Sequence, residues 1–247
     1  MLDFTVITAA WNVEKTIPRC LESVQKNQLG STEHLVMDNC STDQTAEIVK
    51  RFPHATFLSE ADTGIYHAMN KGIRQAKNEI LVFLNADDHF LDGTLAKVQA
   101  AFSEHPESGI VYGNLLVNDT EVKPASGLAS FHGARIFHPA AFIRKSLFDE
   151  LGGYDETYRI CADLDFFMKA KESGAVFTYL DEPLTGFALG GLSTTARKRT
   201  AQEVRQILIS HGYGRMFAAL WYCSMRLREY ASRLIGKIRS ARKNQDA

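Results

Sequence analysis

Four acidic positions stand where the chain leaves short runs rich in apolar residues. Asp38 closes His34–Asp38, Asp62 follows Thr56–Ser59, Asp87 and Asp88 follow the run that begins at Ile80, and Asp163 opens a later helical stretch. Carboxylates gathered at one edge repel one another unless something positive joins them, and a divalent cation with a diphosphate between does this. The segment Phe83-Leu-Asn-Ala-Asp-Asp88 is the sharpest of these signals. A buried strand that ends in two adjacent carboxylates is costly without a metal or a cationic ligand. Hard oxygen donors select Mg2+ or Mn2+, which keep positions open for phosphate oxygens. The same pair also suits a turn that caps the next helix. Asp38-Asn-Cys-Ser-Thr-Asp43 likewise suits a plain turn followed by an N-cap, while an Asp at the tip of a second strand can also accept the imide N–H of uracil or thymine.

The elements that must position these residues alternate through the first half. Strands are expected at Phe4–Thr8, His34–Asp38, Thr56–Ser59 and Ile80–Asn85, with helices over Lys15–Asn27, Thr42–Phe52, Ile65–Lys77 and Asp92–Glu104. Such alternation, with near-continuous apolar strands, predicts a parallel sheet covered on both faces, with its ligand at the carboxyl ends of the strands. The second half changes character. Ile110–Gly113, Leu115–Asn118 and Val122–Pro124 read as short antiparallel strands, Ser126–Ile136 as a mobile loop and candidate lid, and Ala140–Ile143 as a strand. A helix over Leu164–Ser173 and strands at Val176–Tyr179 and Leu184–Phe187 follow.

From Thr195 the pattern is helical, broken near Gly212-Tyr-Gly214. In its last part Phe217, Leu220, Ser224, Leu227, Ala231, Leu234 and Ile238 recur at helical spacing with Arg226, Arg233, Lys237 and Arg239 off that stripe. This amphipathic helix either packs on the catalytic domain or a second subunit, giving a homo-oligomer, or lies on an anionic inner leaflet. Residues 1–194 are expected to form one domain, divided into two halves (1–105 and 106–194), with 195–247 as a basic helical extension.

The 247 residues suffice for one large domain with an appendage, and 45% hydrophobic with 23% charged residues is an ordinary globular composition. The net charge of -1 conceals an uneven distribution: eight basic and two acidic residues lie from Tyr213 onward, leaving 20 basic and 27 acidic residues before it. An acidic body argues against nucleic acid as a partner, and a basic tail argues for an anionic surface. The four cysteines form no C-x-x-C pair and the N-terminus lacks the pattern of a signal peptide. No apolar run reaches membrane-spanning length, so the expected location is the cytoplasm, peripheral on the inner membrane where the tail docks.

The series Val6-Ile-Thr-Ala-Ala-Trp-Asn12, Asp38-Asn-Cys-Ser-Thr-Asp-Gln-Thr45, Asp62-Thr-Gly-Ile-Tyr-His-Ala-Met-Asn-Lys-Gly72, Phe83–Asp88, Gly152-Gly-Tyr-Asp-Glu156 and Ala162-Asp-Leu-Asp165 resembles, in order and spacing, the catalytic domain of glycosyltransferase family 2, over roughly residues 3–194. The resemblance implies an α/β GT-A fold, a Rossmann-like nucleotide-diphospho-sugar transferase domain with a mixed sheet flanked by helices. It also implies an inverting transfer from a nucleotide-sugar. Asn12 with its neighbours Thr8 and Ala9, together with Asp38, would hold the nucleoside. Asp62 and Asn70 would line the base and phosphate side. Asp88, helped by Asp87, would bind Mn2+ or Mg2+, and Asp163 would be the catalytic base. His132, His138 and Asp165 fall on the acceptor or lid side. Two departures stand out: Ala162 replaces the first carboxylate of a frequent Glu-Asp pair, and Asn85 stands where many relatives carry Asp. Similarity of Gly-Ile-Tyr-His-Ala-Met-Asn-Lys-Gly72 and Gly190-Gly-Leu-Ser-Thr194 to transferases of bacterial surface polysaccharides implies a UDP-sugar donor and a glycan or lipid-linked acceptor.

The chemistry so implied is a single displacement in which Asp163 takes the proton of the attacking hydroxyl. Two other classes share parts of this pattern. A nucleotidyltransferase would carry a Gly- and basic-rich phosphate loop where this chain has Thr8-Ala-Ala-Trp-Asn12. A non-catalytic nucleotide-sugar-binding partner would not need Asp163.

Overall fold

The computed structural model describes residues 2–128, 136–190 and 196–227. The chain divides into a unit of Met1–Leu189 and a second of Gly190–Ala247. Within the first, nine strands form one mixed sheet: β1 (Phe4–Ala10), β2 (Glu33–Asp38), β3 (Ala55–Ser59), β4 (Ile80–Phe83), β5 (His89–Phe90), β6 (Ser108–Val117), β7 (Glu121–Lys123), β8 (Ala141–Arg144) and β9 (Val176–Phe187). Their order is β3-β2-β1-β4-β8-β6-β9-β5, with β7 on β6. The first four neighbours run parallel; β8 is antiparallel to both β4 and β6, and β9 is parallel to β6.

Helices α1 (Ile17–Lys26), α2 (Thr45–Val49), α3 (Ile65–Gln75), α4 (Thr94–Glu104), α5 (Lys145–Leu151) and α6 (Ala162–Glu172) connect them. The central strands are buried on both faces, so their alternate residues feed two cores. Ile7, Leu81 and Phe83 pack with α3 and α6 residues such as Met69 and Phe166. Val6, Ile80 and Val82 pack with Cys20 and Val24 of α1 and Leu95 and Val98 of α4. This is why β4 reads as an unbroken apolar run and β1 as a near-continuous one. Gly72 lets α3 lie close on β1: a Cβ there would stand 2.5 Å from Ile7 Cγ2.

The second half departs from expectation in three ways. Ile110–Gly113 and Leu115–Asn118 are one strand, β6, and Val176–Tyr179 and Leu184–Phe187 are one strand, β9. Register shifts around Tyr112, Asn114 and Leu115 absorb the residues that look like turns. β5, two residues after Asp88, pairs antiparallel with β9 and is too short to show a period. Helix α5 was not anticipated; it ends at Gly152, and Gly152 and Gly153 both adopt positive φ (88° and 76°), turning the chain back toward α3.

In the second unit, α7 (Arg197–Ser210) buries Ala201, Val204, Ile207 and Leu208. Residues 215–227 are helical. Among the described residues no helix is long and apolar enough to cross a membrane. The expected lid residue His132, and the part of the expected C-terminal stripe beyond Leu227, lie outside the described residues.

Candidate active site

The carboxyl ends of β1, β2 and β4 form one edge. The chain leaves β1 through Trp11 and Asn12, the latter in the left-handed region at φ 52°. The loops after β1 and β2 are stitched together: Asn12 N–H donates to Ser41 Oγ (2.8 Å), Thr42 N–H to Asn12 Oδ1 (2.9 Å), Glu14 N–H to Asp43 Oδ2 (3.0 Å) and Gln44 N–H to Glu14 Oε2 (3.0 Å). Asn12 therefore shapes the rim, and Trp11 projects from it 64% exposed.

Several residues expected at the donor turn inward instead. Thr8 is fully buried, with its hydroxyl 3.0 Å from His34 Nε2; strand alternation places it in the core, and its neighbour Ala9 is only partly buried against the other core cluster. Asp38 is buried, with Oδ2 accepting from Ser41 N–H (3.0 Å) and Ser59 Oγ (2.7 Å) and Oδ1 accepting from Ser41 Oγ. Its carboxylate holds the β2 turn through these bonds. Asn70 is a cross-brace: its amide donates to the Tyr154 carbonyl and Glu156 Oε1, and its Oδ1 accepts from Tyr154 N–H, each at 2.9 Å. With both ends of its amide bonded to Tyr154 and Glu156, it joins α3 to the segment after Gly152-Gly153. Asp165 is buried and pairs with Lys169 Nζ at 2.7 Å, one turn along α6. Asp62 lies partly exposed at the start of α3, its Oδ1 accepting from Gly64 N–H (2.9 Å); burial raises its pKa.

Asp87 and Asp88 part company. Asp88 is buried, with Oδ1 accepting from Ala188 N–H (3.2 Å) and Oδ2 from Asn85 Nδ2 (3.1 Å). Burial, reinforced by the adjacent Asp87 charge, pushes its pKa up to about 7. Asp87 is exposed, yet enough protein surrounds its carboxyl to raise its pKa as well. Among the described residues no three His, Cys, Asp or Glu side chains converge as a metal cluster. Mg2+ needs no such cage, since one or two carboxylates plus substrate phosphates suffice, and Mn2+ accepts the same oxygen donors. Two adjacent carboxyls, both disfavoured as anions by their surroundings, fit a divalent cation. Asp87 turns its carboxyl to solvent, while both Asp88 oxygens are held from within the protein.

A continuous hydrogen-bonded chain leads from this pair to Asp163. Asn85 Nδ2 also lies 3.2 Å from His138 Nε2, and His138 Nδ1 lies 3.2 Å from Asp163 Oδ2. Asp163 Oδ1 accepts from Leu164 N–H (2.9 Å) and sits 3.1 Å from the Tyr66 hydroxyl, which also contacts the Ile160 carbonyl (2.7 Å). Burial and the Asp163 charge hold the Tyr66 pKa far above its usual value, so the phenol remains a donor. Asp163 and His138 side chains are each 20% exposed. Three parts of this arrangement were missed in the sequence: Trp11, Tyr66 and the linking role of Asn85. Tyr66 carried a signal, an aromatic hydroxyl in the first turn of a helix that opens at Gly64.

The sequence model of Glycosyl transferase family 2 matches residues 5–145, more than half of the chain. The chain belongs to glycosyl transferase family 2. A PGL/p-HBAD biosynthesis glycosyltransferase of Mycobacterium bovis is 32% identical over 203 residues, covering 78% of this chain and 79% of the relative. An uncharacterized glycosyltransferase of Haemophilus influenzae is 26% identical over 195 residues, covering 73% and 66%. Among solved structures, S. aureus TarS 1-349 in complex with UDP superposes with a TM-score of 0.70 at 21% identity over 93% of this chain and 72% of that one. The mannosyltransferase PcManGT of Pyrobaculum calidifontis, in complex with GDP-Man and Mn2+, gives 0.68 at 18% identity over 96% and 79%. The fold of this family-2 glycosyltransferase is accordingly the GT-A fold, a mixed sheet flanked by helices.

Proposed function

We propose that the protein is a metal-dependent, inverting glycosyltransferase that moves a sugar from a UDP-sugar to a glycan or lipid-linked acceptor in the assembly of a bacterial surface polysaccharide or glycolipid. The observation that carries this reading is the chain Asp88–Asn85–His138–Asp163, which places a carboxylate pair suited to a diphosphate-bound cation in the same site as a partly exposed carboxylate suited to act as base. Asp87, with Asp88 behind it, would hold Mn2+ or Mg2+; the cation supplies neutralisation of the charge that develops on the leaving diphosphate. Trp11 offers its exposed face to the nucleoside base, and Asn12 and Asp62 hold the loops on either side. Asp163 accepts the proton of the attacking hydroxyl, with its orientation fixed by Leu164, Tyr66 and His138. One displacement on the face opposite the diphosphate inverts the anomeric centre, and no side chain needs to form a covalent intermediate. A silent nucleotide-sugar-binding partner would have no use for a base held in this way.

UDP is favoured by the TarS complex and GDP-mannose is the competitor raised by PcManGT. The test is a donor screen in which released nucleoside diphosphate is measured with Mn2+ or Mg2+ and UDP- and GDP-sugars. Release from one donor class supports the reading, and silence toward all donors with both metals contradicts it.

The acceptor side of the proposal extends to a lipid surface. In the second unit Met216, Leu220 and Leu227 are 78%, 65% and 69% exposed on a helical segment that also carries Arg215 and Arg226. Apolar side chains among cations suit the interface of an anionic leaflet. The full chain is expected to sediment with phosphatidylglycerol-containing vesicles and not with phosphatidylcholine alone, to be released by high salt, and to lose binding in Leu220→Asp. Equal binding to both vesicle types, or a concentration-dependent dimer with no vesicle binding, would contradict this role.

A further inference from the structure

The geometry points to His138 as a positioning residue that holds the Asp163 carboxylate through Nδ1–H, in a tautomer dictated by Asn85. This rests on the assignment of Asp163 as base, but its structural half stands independently. The side-chain amide of Asn85 has two N–H bonds and meets two groups, Asp88 Oδ2 at 3.1 Å and His138 Nε2 at 3.2 Å. As the amide stands, its Nδ2 serves both groups, and Asp88 is itself held by Ala188 N–H on its other oxygen. The second Asn85 N–H then points at His138 Nε2, which must present a lone pair, so the ring proton sits on Nδ1, 3.2 Å from Asp163 Oδ2.

In this orientation Asn85 Oδ1 is buried without a hydrogen-bond partner among the described residues. His138 is held at the start of a single 3-10 turn (His138–Ala140) whose backbone is pinned by Ala140 N–H to the Phe137 carbonyl (2.9 Å) and by Thr185 Oγ1 to the Pro139 carbonyl (2.6 Å). On the far side of Asp163, Leu164 N–H holds Oδ1, and the Tyr66 hydroxyl, shared with the Ile160 carbonyl, lies 3.1 Å from it. The carboxylate is thus clamped from two directions, and a remaining lone pair of Oδ2 is left for the incoming hydroxyl. An imidazole donating from Nδ1 supplies direction to the base, as orienting partners do for other catalytic groups.

Two measurements test this. Nitrogen NMR of the full-length protein with labelled histidine, at pH 8 and without donor, is expected to show His138 with the proton on Nδ1 and a bare Nε2. Asn85→Asp, which replaces two donors with an acceptor, is expected to move a proton to Nε2. A wild-type ring protonated at Nε2 alone, or at both nitrogens, would overturn the assignment. In transfer assays His138→Ala is expected to lower kcat by roughly 10- to 100-fold with the donor KM within about threefold. His138→Asn, whose amide N–H can stand where Nδ1–H stood, is expected to recover most of that loss, while His138→Gln is not. Unchanged kcat in His138→Ala, or equal loss in the Asn and Gln variants, would refute the positioning role. The NMR result needs neither a donor nor a folded variant, so a failed donor screen and a failed tautomer assignment are distinguishable.

Discussion

Replacing Asp163 by Asn is expected to lower transfer by roughly 10²–10⁴-fold while leaving metal-dependent nucleotide binding within about twofold. The substitution keeps the shape of the side chain, and its carbonyl can still accept from Leu164 N–H, 2.9 Å from Oδ1 in the native site. What it removes is an oxygen able to take a proton at the position where His138 Nδ1 meets Oδ2. The nucleoside and cation contacts proposed for Trp11, Asn12 and Asp87 lie on other elements, the loops after β1 and β4. A split of this kind, chemistry lost and binding kept, marks a group that acts on the reacting atoms. Equal loss of nucleotide binding would instead assign Asp163 to the donor pocket. Undiminished transfer would remove it from the mechanism.

The second large effect concerns Asp88 and is a matter of pH. Its pKa, pushed from 3.8 up to about 7 by burial and then by Asp87, means that the folded protein favours the protonated form. The resulting stability is fully present below the unfolded value near pH 4 and is lost as pH rises through about 7. Between pH 5 and pH 8 this amounts to a loss on the order of 3 kcal/mol. His34 acts in the opposite sense over part of the same range. Burial, with His54 beside it, lowers its pKa to about 3, so its contribution is present above pH 6.5 and falls as the solution becomes acidic. The Asp88 effect is therefore read as a difference. Relative to Asp88→Asn, the metal-free wild type is expected to lose stability from pH 5 to pH 8 in chemical denaturation. Mn2+ with a nucleoside diphosphate should cancel most of that loss at pH 8, because a bound cation stabilises the ionised pair. Parallel pH curves for the two proteins, or no effect of Mn2+ and nucleotide, would contradict the cation site.

The parallel half of the sheet was legible because β1, β2 and β4 each carry a core run of apolar residues and are separated by helices. The second half, where β8 runs antiparallel to β6 but β9 runs parallel to it, was less so. β6 and β9 run through Gly113-Asn114 and Asp181-Glu-Pro183, residues that locally ask for turns, and their long pairing with each other, with β5, β7 and β8 beside them, keeps them extended. At the site, residue types identified which segments gather but not which way each side chain points. Thr8, Asp38, Asn70 and Asp165 are polar residues in the right segments whose partners are internal. Asp87 and Asp88 are neighbours in sequence, yet one faces solvent and the other the Ala188 backbone. That difference comes from the turn closed by Asp88 N–H on the Asn85 carbonyl (3.0 Å), a feature of backbone geometry that composition does not encode. Asn85 illustrates the same limit: as a missing carboxylate it looked like a lost ligand, and only its two partners reveal it as a link to His138.

The most direct test of the central claim, that one site holds a cation-bound nucleotide-sugar and a carboxylate base, is the initial rate of nucleoside diphosphate release by the full-length protein, with its preferred donor and an acceptor, before and after chelation. Metal-dependent release that returns when Mn2+ or Mg2+ is added back, and that Asp87→Asn abolishes, is the predicted result. Release that persists in chelator, or that is unaffected in Asp87→Asn, would contradict it.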